Sequence, residues 1–202
     1  MKASRSDVEK IMEKLRKHIS SENGNDFGSM RELDDLFDSK AYGFREIVLV
    51  MAIAKIIDPD YDPVHNFYSC SPRSLYEGAI RDFLLKYKIP HMKSGPLNVA
   101  KAAKGIDPEW ASQRRPKNAA DAAVKCAEAI RNMSDQEVRK FSITLLDYFF
   151  REAEKIAQYD TGYSPIFDPL QLYYVLEGMI DDVIDGGNTP QRIVGTLLIV
   201  NY

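Results

Sequence analysis

Cysteine is scarce. The 202 residues hold two, Cys70 and Cys126, and three scattered histidines, His18, His65 and His91. That set offers no metal-ligand spacing, and so little cysteine fits a reducing, cytoplasmic compartment. Long apolar runs are lacking too. The longest, Ile47 to Ala54, is too short to span a bilayer, so no membrane partner is expected. The start, Met1-Lys2-Ala3-Ser4-Arg5, leads into polar residues and reads as no signal peptide. No stretch alternates at period two, and no Asn-Gly or Asp-Gly turn sits between two alternating runs, which argues against strands. There is no fixed-period repeat, no low-complexity segment, no phosphate loop and no dinucleotide fingerprint.

Catalytic patterns are equally thin. A PD-(D/E)xK nuclease needs two acidic metal ligands and a lysine on neighbouring strands, because the metal activates the attacking water. Asp38-Ser39-Lys40 is the one (D/E)-x-K match, and it lies in a polar stretch, so it reads as chance. Asp58, Asp60 and Asp62 lack the glycine and closing glutamate of a calcium loop. Asp181, Asp182 and Asp185 could ligate a metal, but a solvated acidic face explains them as well. No Ser-His or Cys-His pair sits in a known local signature. No catalytic residue and no metal ligand is assigned, and whether the chain is an enzyme stays open.

Charge is unevenly spread. The chain carries a net −3. Between Arg73 and Lys117 stand ten Lys/Arg and four Asp/Glu, a net +6, which leaves −9 elsewhere. A positive island in an acidic protein suggests a polyanionic partner, nucleic acid first. The plainer reading is that these residues only solvate helices.

Apolar spacing is helical. Val8, Ile11, Met12, Leu15 and Ile19 share one face of a helix over 6–19, with Ser6 or Asp7 as its cap. Residues 20–29 form a loop, a short helix follows over 30–37, and 43–57 reads as a buried helix. Ser71-Pro72, Asp107-Pro108, Asp168-Pro169 and Thr189-Pro190 each place a capping residue before a proline. Ser134-Asp135-Gln136-Glu137 is a capping box. Helices are therefore expected near 72–88, 96–104, 108–114, 118–132, 135–158, 169–184 and 190–201. Val138, Phe141, Leu145, Phe149 and Ala153 form a core stripe. With 45% hydrophobic and 28% charged residues, the chain can bury a core.

The expected fold is all-α, a compact bundle of about eight to ten helices. It is read as a single domain over 1–202, with acidic N-terminal helices at 1–63, a basic helix-loop-helix segment at 69–117 and core helices at 118–202. Gln191 to Tyr202 is apolar and has no polar tail, so it reads either as cut before a further domain or as a helix docked in the core.

The basic segment has finer features. The two prolines of Lys88-Ile89-Pro90-His91-Met92-Lys93-Ser94-Gly95-Pro96 stiffen a loop, which lowers the entropy lost on docking. A helix starting near Pro96 would offer its N-terminus to phosphate and set Asn98, Lys101 and Lys104 on one face, with Val99, Ala102 and Ala103 inward. Asparagine can read an adenine edge. Gln113, Arg114, Arg115 and Lys117 beside Trp110 form a second cluster, and the arrangement is similar to a short helix-turn-helix. The candidate DNA contacts are Arg73, Lys88, His91, Lys93, Asn98, Lys101, Lys104, Gln113, Arg114, Arg115 and Lys117.

The run Ser71-Pro72-Arg73-Ser74-Leu75-Tyr76-Glu77-Gly78, then Ile89-Pro90-His91-Met92-Lys93-Ser94-Gly95-Pro96-Leu97-Asn98-Val99-Ala100-Lys101-Ala102, resembles the N-terminal helical region of SacI-type type II restriction endonucleases and related restriction-system proteins. Thr189-Pro190-Gln191-Arg192-Ile193-Val194-Gly195 resembles the helix that precedes their nuclease part. The resemblance covers about 70 to 200. It implies a double-stranded DNA recognition or accessory module, non-catalytic in these residues, with Mg2+ only for a nuclease domain lying outside them. No nuclease motif appears here. Two other readings stand: a protein-protein interaction or oligomerisation module of a restriction or defence system, a homodimer included, with Leu197, Leu198 and Val200 as its apolar marker; and a small enzyme near His91 and Tyr76.

Overall fold

The computed structural model describes residues 4–21, 31–39, 41–92 and 98–160, together with Tyr174 and Glu177. Of these, 75% are helical and none lies in a strand, as the missing period-two pattern requires. The chain divides into two compact units, Met1–Phe150 and Arg151–Tyr202.

In the first unit, α1 is Arg5–Ser21, α2 Arg31–Asp38 and α3 Tyr42–Ile57. A 3-10 turn, Phe67–Cys70, leads into Pro72–Leu75, Tyr76–Ile80 and Arg81–Lys86, which run on as one helix, α4 (72–86), with a π turn in its middle. Then come α5, Pro108–Ser112, α6, Lys117–Asn132, and α7, Asp135–Asp160, which crosses into the second unit. Counted this way the described residues hold seven helices, fewer than the roughly eight to ten read from periodicity. The helices expected at 169–184 and 190–201, with their Asp168 and Thr189 caps, lie outside the described residues.

The centre of the first unit is α3, every residue of which from Gly43 to Lys55 is buried. Its uninterrupted apolar run reads correctly as a buried helix, because such a helix needs no polar face. Against it pack α2, α6 and the start of α4. The buried face of α6 is mostly alanine (Ala119, Ala120, Ala122, Ala123, Ala127), with Cys126 and Ile130. Small side chains let that helix lie close to α3. On α7, Val138, Phe141, Leu145 and Phe149 are buried at helical spacing, and Phe149 meets Phe37 of α2 edge-on with ring centroids 5.2 Å apart.

Local signals set most helix ends. Glu137 Oε2 accepts the Ser134 N–H at 2.8 Å, while the Glu137 N–H reaches Ser134 Oγ at 3.4 Å, completing the capping box. Asp107 Oδ1 accepts the Trp110 N–H at 2.8 Å with Pro108 at the first helical position. Two expected caps differ. Ser4, not Ser6 or Asp7, caps α1, and its Oγ accepts the Asp7 N–H at 3.2 Å. Ser71 makes no side-chain cap; it sits at φ 54° because its own N–H closes the preceding 3-10 turn onto Tyr68 O at 3.0 Å.

Three charged side chains are buried on α3. Arg45 donates to Phe37 O at 2.5 Å and Ser39 O at 2.7 Å. Lys55 donates to Tyr61 O at 3.3 Å and to Arg131 O at 3.1 Å, so its charge meets the carbonyl end of α6. Glu46, fully buried, accepts the Met92 N–H at 2.6 Å. For Arg45 and Lys55, bonds to backbone carbonyls replace water, whereas Glu46 keeps Oε2 without a hydrogen-bond partner among the described residues.

Candidate nucleic-acid interface

The short helix expected over 96–104 is not formed at 98–104; those residues make a run of turns, with Ala102 at φ 61°. The reason is tertiary. A helix over 96–104 would need Val99 O and Ala100 O for the amides of Ala103 and Lys104, and here distant groups take both, while two further carbonyls of the run are tied to other segments. Val99 O accepts Trp110 Nε1–H at 3.3 Å, Ala100 O the Tyr68 hydroxyl at 3.1 Å, Lys101 O Arg114 Nη2 at 3.3 Å, and Lys104 O the Phe67 N–H at 3.0 Å. Asn98, Lys101 and Lys104 therefore do not stand on a recognition helix, and the expected helix start near Pro96 lies outside the described residues.

The side chains still sort by burial. Ala100 and Ala103 are buried and Val99 is half-buried, while Asn98, Lys101, Ala102 and Lys104 are exposed. Ala102 is thus outward, against expectation, because its left-handed backbone breaks the helical phase. Gly43 makes room for the turn: a Cβ there would lie 2.6 Å from Val99 Cγ2. Gly105 lets the chain press on 63–65, with the Ile106 N–H bonded to Pro63 O at 2.9 Å.

The bond from Arg114 to Lys101 O joins this turn to the end of α5. A cleft of about 250 Å3 opens there, lined among others by Lys104, Gly105, Trp110, Gln113 and Arg114. Arg115 is exposed, and Lys117 is exposed as the first residue of α6. Lys101, Lys104, Gln113 and Arg114 are thus brought together, with Arg115 and Lys117 next along the chain. Asp107 and Glu109 line the same cleft and match in number its two basic lining residues, Lys104 and Arg114, so the excess positive charge comes from Lys101, Arg115 and Lys117 beside it.

The remaining candidates stand elsewhere on the fold. Arg73, on the first turn of α4, pairs with Glu77 at 3.6 Å. Lys88 is exposed at φ 53° as α4 ends, where the Ile89 N–H bonds Leu84 O at 2.9 Å. His91 is half-buried with Nδ1 2.9 Å from Ile89 O. Lys93 lies outside the described residues. Other basic residues of the segment are spent on structure: Lys86 pairs with Glu13 at 2.6 Å and holds that carboxylate below its usual range, while Arg81 leaves Nε buried without a partner.

Tyr76 is buried, and its hydroxyl donates to Met92 O at 3.1 Å rather than pointing to His91. Sequence reasoning missed Glu46, the fully buried carboxyl beside it. The signal was there: a charged pair, Arg45-Glu46, opening an apolar run too long to have a solvent face. Burial pushes the Glu46 carboxyl up to about 7, against the pull of the Met92 N–H and the Tyr76 hydroxyl. Burial also raises the thiols, Cys70 to about 11 and Cys126 to about 12, which leaves neither a ready nucleophile.

Among the described residues no group of three or more His, Cys, Asp or Glu is placed to hold a metal ion. Asp62 accepts the Val64 N–H at 3.0 Å and pairs with Arg131 at 3.1 Å, and Asp58 accepts the Asp60 N–H at 3.1 Å, so those carboxylates serve the turn. No helix among the described residues is long and apolar enough to cross a membrane. Asp181, Asp182, Asp185, Leu197, Leu198 and Val200 lie outside those residues. Set against family models, curated proteins and solved structures, the chain matches none of them.

Proposed function

We propose that this chain binds double-stranded DNA as a recognition or accessory helical domain of a type II restriction endonuclease, without catalysis of its own, in a cytoplasmic setting. The observation that carries the DNA reading is the bond from Arg114 to Lys101 O, which sets Lys101 beside the cleft that Lys104, Gln113 and Arg114 line. Arg115 and Lys117 extend the same charge towards α6. The restriction assignment rests on the sequence resemblance of 71–102 and 189–195. Phosphate contacts of this kind position a duplex without reading it, and polar groups such as Gln113 and Asn98 are the ones able to meet base edges.

A duplex titration at two salt concentrations tests it. Lys101→Glu with Lys104→Glu should weaken binding at least tenfold and lower the salt slope by about two, roughly one for each lost phosphate contact. Lys14→Glu, an exposed charge reversal on α1, should change neither the affinity nor the slope beyond its long-range effect. Equal binding by the double variant and the parent protein overturns the proposal.

A further inference from the structure

The peptide unit of Met92 is held at both ends. Its N–H goes to Glu46 Oε1 at 2.6 Å and its carbonyl accepts the Tyr76 hydroxyl at 3.1 Å. Ile89, buried in the same segment, is tied back to Leu84 O. This clamp fixes 89–92 over the first turns of α3. Its carboxyl is peculiar. Glu46 is fully buried, and Oε2 has no hydrogen-bond partner among the described residues.

Charges around it lead elsewhere. On α3 the neighbouring Arg45 is committed to Phe37 O and Ser39 O. From α4 come Tyr76 and, acting on that phenol, Arg81. The clamped segment brings His91, turned to Ile89 O. From α2 and α6, which pack on the same helix, Asp34 accepts the Tyr148 hydroxyl at 2.5 Å and Asp35 pairs with Lys125 at 3.9 Å. Among the described residues no cation pairs with Glu46, so a carboxylate there would be a buried charge without a partner among them, which is costly.

We propose that the proton on Glu46 works a latch: the neutral carboxyl holds 89–92 against α3, and ionisation favours local opening of that segment to water. Opening would hydrate the carboxylate and restore an ordinary acidity. Because the closed state keeps its proton up to about pH 7, opening grows through the range from about 4.5 to 7 and levels off above it. The segment carries His91 and follows Lys88, so the latch governs how both are presented. It stands whether or not DNA is the ligand.

Amide hydrogen exchange of the full chain, read at Met92 from about pH 5 to pH 8 and corrected for intrinsic rates, tests it. The Met92 protection factor should fall at least tenfold between about pH 5 and 7 and then flatten. In Glu46→Gln, which keeps a carbonyl acceptor and cannot ionise, it should be flat. Tyr76→Phe removes the hydroxyl that holds the Met92 carbonyl, so protection should be lower at every pH while the fall remains. Imidazoles ordinarily titrate in this range, so His91→Gln is run in parallel and should leave the fall in place. A flat profile in the unaltered protein, the same fall in Glu46→Gln, or loss of the fall in His91→Gln overturns the latch.

Discussion

Gly105 passes so close to Val64 that a Cβ built on it would lie 1.7 Å from the Val64 carbonyl oxygen. On either side the backbone bonds Lys104 O to the Phe67 N–H and the Ile106 N–H to Pro63 O. The turn that displays Lys101 and Lys104 is therefore mounted on the 63–67 segment through a contact that only glycine allows. Gly105→Ala should cost at least about 2 kcal/mol of stability in urea unfolding, since the backbone has to move rather than a flexible side chain. A loss under about 0.5 kcal/mol would show that the two segments separate easily.

Lys88 holds a left-handed conformation as α4 ends, in the position where glycine is usual. The Ile89 N–H to Leu84 O bond and the Lys88 N–H to Leu85 O bond close the end of the helix around it. Lys88→Gly should raise stability by about 0.5–1 kcal/mol, the strain of a side chain at positive φ less the added freedom of the unfolded chain. Chemical denaturation reads this directly, and a destabilised variant would contradict it.

Asp107 has two effects that can be separated. It caps α5 through the Trp110 N–H, and it places a carboxylate in the cleft beside Lys104 and Arg114. Asp107→Ala should cost about 1 kcal/mol of stability. Asp107→Asn retains a capping oxygen and removes the charge, so it should leave stability within about 0.5 kcal/mol while tightening duplex binding severalfold. Duplex binding that is unchanged or weaker in Asp107→Asn would separate this cleft from the DNA contact.

Glu46 also gives global stability a direction with pH. Its folded-state acidity is raised, from an ordinary 4.5 to about 7, so the native state holds a proton that the unfolded chain has released. The contribution is whole below about pH 4.5 and is lost as pH rises towards 7, amounting to about 3 kcal/mol at most. Denaturation at about pH 5 and pH 8 should show Glu46→Gln losing less stability on going to the higher pH. Equal losses in both proteins would place the carboxyl in a wetter site.

Much of the helical layout was legible because its causes are local. The Ser134–Glu137 box, the Asp107-Pro108 start and the stripe of Val138, Phe141, Leu145 and Phe149 each act within one or two turns of chain. The expected helix over 96–104 failed for the opposite reason. Ala100, Ala102 and Ala103 favour helix, but Trp110 and Tyr68 take the two carbonyls, of Val99 and Ala100, that a helix would use, and Arg114 and Phe67 pull Lys101 O and Lys104 O towards other segments. Ser71 failed as a cap because a neighbouring turn had already fixed its backbone.

The amino-acid order by itself determined that the described residues are mostly helical, where most of those helices begin and end, and that positive charge collects between Arg73 and Lys117, since propensity, capping and charge are properties of neighbours in sequence. Only the tertiary structure decided which of those charges meet. Lys104, Gln113 and Arg114 line one cleft and Lys101 stands beside it because its carbonyl bonds Arg114, while Arg73 and Lys86 pair with carboxylates. It also decided that Glu46 lies in the core beside Tyr76 and Met92, because burial depends on what packs over a residue rather than on the residue itself.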